Sequence, residues 1–203
     1  MNYLIVGASS GLGRDLAYKF AQNSNNLILV SRDERDLKAL KNDIEVKFKS
    51  KVDVHSVDCS SYDEVNNFIS SNLDVFKNLD GALFPIGMIS DDDTVKNKIS
   101  ETNKLIQANY GIVSHLVSEL FEIFEQKNNG VIVGFGSISA YLGREVNTTY
   151  AASKRALESM FESLSITSNK NEIKIQFYVL GYLESNMTFG RKLILPKGST
   201  EKL

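Results

Sequence analysis

Three side chains in this sequence can act together on a carbonyl group. Tyr150 and Lys154 stand four residues apart, a spacing that puts both on one face of a helix. Ser137 lies thirteen residues upstream, at the end of an apolar run, where it can fold back against that face. A phenol has an ordinary pKa of about 10, too high for easy proton exchange near neutrality. A nearby ammonium favours phenolate, so Lys154 is expected to lower that value for Tyr150. The Ser137 hydroxyl can donate to a substrate oxygen and polarise its carbonyl. Taken singly, each has a plainer reading: tyrosine and lysine at this spacing usually decorate a helix surface, and a serine after a strand is a cap or turn residue. A glycine-rich turn near the start of the chain, Gly7-Ala8-Ser9-Ser10-Gly11-Leu12-Gly13, changes the weighing. There Gly7 can make a tight turn, Gly11 can let backbone approach a pyrophosphate, and Gly13 can let helix and strand pack closely. Ser9, Ser10 and Leu12 complete the loop, and the helix behind it offers N–H groups to phosphates. The chemistry these parts add up to is hydride transfer by a bound dinucleotide, with a proton moving on or off oxygen.

Such residues need a scaffold that gathers them. Short apolar runs predict strands at Asn2–Val6, Asn26–Val30, Val52–Val57, Gly81–Phe84, Gly130–Phe135 and Ile173–Val179. Amphipathic stretches predict helices at Leu12–Gln22, Glu34–Lys47, Tyr62–Leu73, Thr94–Lys127 (as two helices) and Thr149–Ser168. This alternation implies an α/β fold, a Rossmann-like doubly wound parallel sheet of six strands with helices on both faces. The strands read as nearly unbroken apolar runs, as strands covered on both sides should. Ligands in such folds sit at the carboxyl ends of the strands, where the singled-out residues fall.

The 203 residues suit a single domain, 1–203. A net charge of −2 gives no reason to expect nucleic acid or an anionic membrane as partner, and no run is long enough to span a bilayer. Cys59 is the only cysteine and the chain enters a strand at once, without a signal peptide, which together suit the cytoplasm. Cys59 has no basic neighbours and reads as a packing residue. His55 and His115 lack partners at ligand spacing, so no metal is expected. Asp91-Asp92-Asp93 is most simply a helix start, with Asp93 as an N-cap; a divalent-cation role is the alternative. Leu116, Leu120 and Phe124, and Leu157, Phe161 and Leu164, form apolar stripes that read as core.

The spacing G-x-x-x-G-x-G, with Asp58, Asn109, Ser137, Tyr150, Lys154 and Gly181 in order, resembles the short-chain dehydrogenase/reductases over residues 1 to about 190. The resemblance implies an oxidoreductase interconverting a carbonyl and a secondary alcohol, with Tyr150 as general acid/base. It implies that Asn109 positions water in a proton relay to Lys154, and that Lys154 holds the nicotinamide ribose. It puts Asp58 near the adenine amine and the backbone at Cys59 near the ring; the plainer role for Asp58 is a helix N-cap, which Ser60 or Ser61 could also fill. Where the family closes its second strand with an NAD-clamping Asp, this chain has Ser31 and then Arg32. A guanidinium can grip a 2′-phosphate, so NADP(H) is expected over NAD(H). Asp33 is a competing signal for NAD, and Arg32 as a solvated loop residue is the plainer reading. The family's Asn-Asn-Ala-Gly becomes Phe84-Pro85-Ile86-Gly87, which keeps Gly87 beside the cofactor, puts local rigidity in question and should end the strand at the proline.

Gly181-Tyr182-Leu183-Glu184-Ser185 resembles the family's Pro-Gly segment, implying that Leu183 backbone meets the nicotinamide amide and Ser185 the phosphates. Only sixteen residues follow Met187, so the usual seventh strand and substrate-covering helices are expected to be missing. That would leave the sixth strand as an exposed edge and the site open to water, with poor turnover. The resemblance also implies a homodimer or homotetramer acting on a small carbonyl or alcohol. Two rivals stand beside this reading: a dinucleotide-binding or scaffold module without turnover, and an epimerase or dehydratase using a transient hydride transfer.

Overall fold

In Asn2–Val6, strand β1, successive side chains go to opposite faces of the sheet. Leu4 and Val6 join one core and Ile5 the other. The computed structural model describes residues 1–168, 172–183 and 198–199. Strands β2 (Asn26–Ser31), β3 (Val52–Ser56), β4 (Gly81–Phe84), β5 (Gly130–Ser137) and β6 (Ile173–Leu180) complete a parallel sheet in the order β3-β2-β1-β4-β5-β6. The order reverses between β1 and β4, which opens a crevice at their carboxyl ends. This is the doubly wound α/β arrangement expected from the alternation of elements.

Helices α1 (Gly11–Gln22) and α2 (Glu34–Lys47) cover one face, burying Ala17, Ala21, Leu37, Leu40 and Ile44. Helices α3 (Tyr62–Phe76), α4 (Ile99–Ile106), α5 (Ile112–Gln126) and α6 (Thr148–Ser168) complete the set. The other face is sealed by Val65 and Phe68 of α3, by Leu116, Leu120 and Phe124 of α5, and by Leu157 and Phe161 of α6. The apolar stripes of α5 and α6 are therefore core. Asp33 caps α2, its carboxylate accepting from the Asp36 N–H at 3.0 Å. Ser61 caps α3, its Oγ accepting from the Glu64 N–H at 3.4 Å.

Two expectations need correction. No helix starts at Thr94: α4 begins at Ile99, and a π-helical turn over Gln107–Gly111 separates it from α5. The Asn109 side chain donates to the Leu105 carbonyl one turn back at 2.9 Å, a bond that accompanies the widened turn. Nor are all strands apolar throughout. β3 and β6 form the sheet edges, and β6 alternates exposed Lys174, Gln176 and Tyr178 with half-buried Ile175 and Phe177. Beyond β6, on the side away from β5, no strand pairs with it among the described residues. Ser185 and the expectations for the chain after it lie outside the described residues, save for Gly198, whose N–H donates to the Tyr182 carbonyl at 2.7 Å.

Candidate active site

A cavity of about 740 Å³ runs along the carboxyl ends of all six strands. Its floor at one end is the turn after β1. Gly7 has φ +98°, a conformation that favours glycine. A Cβ on Gly13 would stand 2.1 Å from the Gly7 carbonyl oxygen, so the first turn of α1 lies directly on the loop. Ser10 occupies the N-cap of α1 without a side-chain capping bond, so the helix start keeps donors for an anion. Ser9, Ser10, Gly11 and Leu12 line the cavity there, and Ser9 Oγ lies 2.7 Å from Ser31 Oγ. Gly13 packs beneath the loop and does not line it. These residues fit a pyrophosphate-bearing dinucleotide.

Ser31, exposed Arg32, Asp58 and Cys59 line the adjoining end. Burial works to raise the Asp58 pKa, but it is outweighed: Ser60 donates through both N–H and O–H, Arg32 and Lys104 add positive charge, and the carboxyl is held below its ordinary value. Ser61 is the cap of α3, which leaves Asp58 to the loop. Asp33, the competing acidic residue, is committed to capping α2. The Cys59 thiol is buried in the core and its pKa is pushed up to about 12 by that burial. It is a packing residue that also borders the cavity.

Ser137, Tyr150, Lys154, Gly87, Gly181 and Leu183 line the opposite end. Lys154 is buried, and its Nζ donates to the carbonyls of Ile86 at 2.9 Å and Phe135 at 3.1 Å. The first of these lies in the segment that departs from Asn-Asn-Ala-Gly. Asn109, fully buried, braces that segment: its Oδ1 accepts from the Met88 N–H and its Nδ2 donates to the Met88 carbonyl, both at 2.8 Å. Its carboxamide is spent on this clamp and does not line the cavity. β4 ends at Phe84, directly before Pro85, as the missing donor requires.

A profile of the short chain dehydrogenase family matches residues 2–192. The chain belongs to that family. Short-chain dehydrogenases are oxidoreductases that use a nicotinamide dinucleotide and act on small molecules. A very-long-chain 3-oxoacyl-CoA reductase from Vanderwaltozyma polyspora is 25% identical over 218 residues; the match covers 98% of this chain and 61% of that protein's length. Two solved structures share the fold. The bulky-bulky ketone specific alcohol dehydrogenase from Comamonas testosteroni superposes with a TM-score of 0.89 at 22% identity, over 98% of this chain and 78% of the other. A short-chain dehydrogenase from Sphingobium yanoikuyae in complex with NADPH gives 0.89 at 21% identity, over 99% and 80%.

In this short-chain dehydrogenase the electrostatics of Tyr150 differ from expectation. Burial raises the phenol pKa, and a hydrogen bond with Ser137 acts the other way without overcoming it. The ammonium of Lys154 lies 5.9 Å from the ring centre and is held by two carbonyls, so it does not bring the phenol down. Burial in turn lowers the Lys154 pKa to about 8.

Two residues at this end, Ser139 and Arg144, escaped the reading of the sequence, and a third, Asp93, was expected as an N-cap but on a different helix. Ser139 is buried, donates its N–H to Ser137 Oγ at 3.2 Å, and places its own Oγ 2.5 Å from that atom. Asp93, also buried, accepts from Thr148 Oγ1 at 3.1 Å and from the N–H groups of Thr149 and Tyr150 at 2.9 Å each. It caps α6, the helix carrying Tyr150, rather than starting a helix of its own. Burial alone would raise its pKa; the N–H donors of Tyr150 and Thr149 and the two threonine hydroxyls hold it below the ordinary range. Arg144 also lines this end. The Ser-x-Ser spacing could have flagged Ser139, but nothing local ties Asp93 to a helix more than fifty residues away. The histidines have structural partners: His115 Nε2 lies 2.8 Å from Asn66 Oδ1 and its ring stacks on Tyr62, while His55 meets Phe68 edge-on. Among the described residues no group of three His, Cys, Asp or Glu could hold a metal, and no helix is long and apolar enough to cross a membrane.

Proposed function

We propose that this protein is an NADP(H)-dependent oxidoreductase that interconverts a carbonyl and a secondary alcohol, with Tyr150 as general acid and base. The observation that carries the reading is the convergence of Ser137, Tyr150 and Lys154 with the glycine turn in one cavity. When bound, the nicotinamide dinucleotide supplies the hydride. The chain's residues do the rest. Ser139 donates its N–H to Ser137 Oγ, which leaves the Ser137 proton to be given to the substrate oxygen and polarise its carbonyl. Tyr150 passes its phenolic proton to that oxygen as the alcohol forms. Burial keeps the phenol protonated near neutrality, the form that reduction needs. Lys154, fixed by Ile86 and Phe135, holds the nicotinamide ribose, and Asn109 keeps the Ile86–Met88 segment in place beneath it. Gly87, Gly181 and Leu183 present backbone to the nicotinamide end.

Preference for NADP(H) is assigned to Arg32. It is exposed at the cavity's rim, and Asp33, the acidic residue that would favour NAD, has its carboxylate engaged by α2. The test is oxidation of NADPH and NADH with a panel of ketones, aldehydes and 3-oxoacyl thioesters. Net oxidation faster with NADPH is expected. Tight cofactor binding without turnover of any carbonyl would leave a binding module instead, and conversion without net cofactor change would make it an epimerase.

A further inference from the structure

The end of the cavity that holds Tyr150 contains a charge with no partner among the described residues. Arg144 lines the cavity, and its Nε is buried without a hydrogen-bond partner among the described residues. Its guanidinium carbon lies 5.6 Å from the centre of the Tyr182 ring, within range of a cation–π contact. No carboxylate pairs with it among the described residues. Glu145, its neighbour in sequence, is exposed and does not line the cavity. Asp93 is committed to the start of α6. The remaining cation at this end, Lys154, is held by two carbonyls. Asn147 lines the same cavity, and its Oδ1 is likewise buried without a partner among the described residues, an acceptor in the same stretch as the idle donor. Met88, Ile89, Val146 and Leu180 supply apolar wall around them.

A buried guanidinium N–H without a partner is costly, and the guanidinium fork matches the two oxygens of a carboxylate or phosphate. We propose that Arg144 makes this end of the cavity an anion site, so that the carbonyl compound taken there carries a carboxylate or phosphate, separated from the carbonyl by an aliphatic spacer. The word substrate rests on the reductase reading above; the anion site itself does not.

The test separates the two readings. With NADP⁺ present to occupy the cofactor's anion sites, binding of hexanoate, hexyl phosphate and neutral 2-hexanone to the full chain is measured by calorimetry, for the parent, Arg144→Gln and Arg144→Lys. One anion is expected to bind at least tenfold more tightly than the ketone. That advantage should vanish in the Gln variant and survive in part in the Lys variant, which keeps the charge without the fork. The anion with the larger loss names the group. Equal binding of anions and ketone, or an advantage untouched by either substitution, overturns the proposal. Turnover of 5-oxohexanoate against its methyl ester then addresses the reductase reading. A parent that binds anions through Arg144 and reduces neither compound keeps the anion site and loses the reductase. A parent that reduces acid and ester equally keeps the reductase and loses the anion site.

Discussion

The two ends of the cleft are built on different terms. At the nucleotide end the side chains are committed to one another. Ser9 meets Ser31, Asp33 caps α2, Asp58 is held by Ser60, and what remains for a ligand is backbone at a helix start and one exposed arginine. At the opposite end Arg144 and Asn147 line the cavity, and Arg144 Nε and Asn147 Oδ1 are buried without partners among the described residues, both on the loop after β5. A scaffold that binds one unchanging cofactor can satisfy its own polar groups. Loops that receive a substrate leave some unsatisfied until it arrives. The ends also differ in which groups burial acts on: at the first it raises the thiol of Cys59, a packing residue, and at the second it shifts the proton affinities of Tyr150 and Lys154, the groups placed to move a proton.

This contrast can be broken by substitutions confined to one end. Tyr150→Phe should lower carbonyl turnover by roughly 10²–10⁴-fold, the ordinary worth of a positioned acid, and leave the NADPH dissociation constant nearly unchanged. Appreciable turnover by the Phe protein would remove Tyr150 from its role. Lys154 offers a sharper test through pH. Its pKa in the folded protein is about 8 against an ordinary 10.5, so between those values the unfolded chain binds more protons than the folded one. The parent should therefore gain about 3 kcal/mol of stability relative to Lys154→Met as pH climbs across that window. Urea titrations of both proteins at pH 7, 9 and 10.5 measure it, and a constant difference would mean the amine is not desolvated.

At the nucleotide end Arg32→Ala should cost about 1.5–3 kcal/mol of NADPH binding, since one charged hydrogen-bonded contact is lost, and should leave NADH binding unmoved. Parity of the two cofactors in the parent would refute the phosphate clamp. The smallest effect expected is in Asp93→Ala, a loss of about 1–2 kcal/mol of stability from removing a helix cap. The Asp93 pKa is lowered by folding, so this contribution is full above the ordinary carboxyl value and fades as pH falls through the folded one. The gap between parent and variant should narrow in acid; if it widens, the capping account fails.

How much of this was legible in the sequence follows the same divide. Strand and helix order and the glycine turn rest on local pattern, which also narrowed the cap of α3 to Asp58, Ser60 or Ser61, and the bounds of β1, β4 and α2 match expectation to the residue. What local pattern hid were partnerships across the chain. Asp91-Asp92-Asp93 looked like the start of the next helix because the macrodipole argument considers only neighbours. Lys154 looked like the agent that lowers the Tyr150 pKa because spacing places the two side by side, whereas the carbonyls of Ile86 and Phe135 hold it and burial of the phenol wins. β6 was expected to be an edge; what the reading of unbroken apolar runs hid is its alternation of exposed Lys174, Gln176 and Tyr178 with half-buried Ile175 and Phe177, the pattern of a strand covered on one face.

The bond from Asp93 to the first turn of α6 spans 55 to 57 residues, and that span bears on time rather than place. The opening turn of a helix, with its N–H groups unpaired, is ordinarily the part that frays first. Here two of those N–H groups are pinned by a loop that belongs to β4, so they can exchange with solvent only when that loop lifts. Amide protons of Thr149 and Tyr150 should exchange in step with the loop around Asp93, more slowly than a free helix end and together. A clamp closed over so long a stretch also forms late in folding, so its removal should quicken unfolding and leave the folding rate almost unaltered.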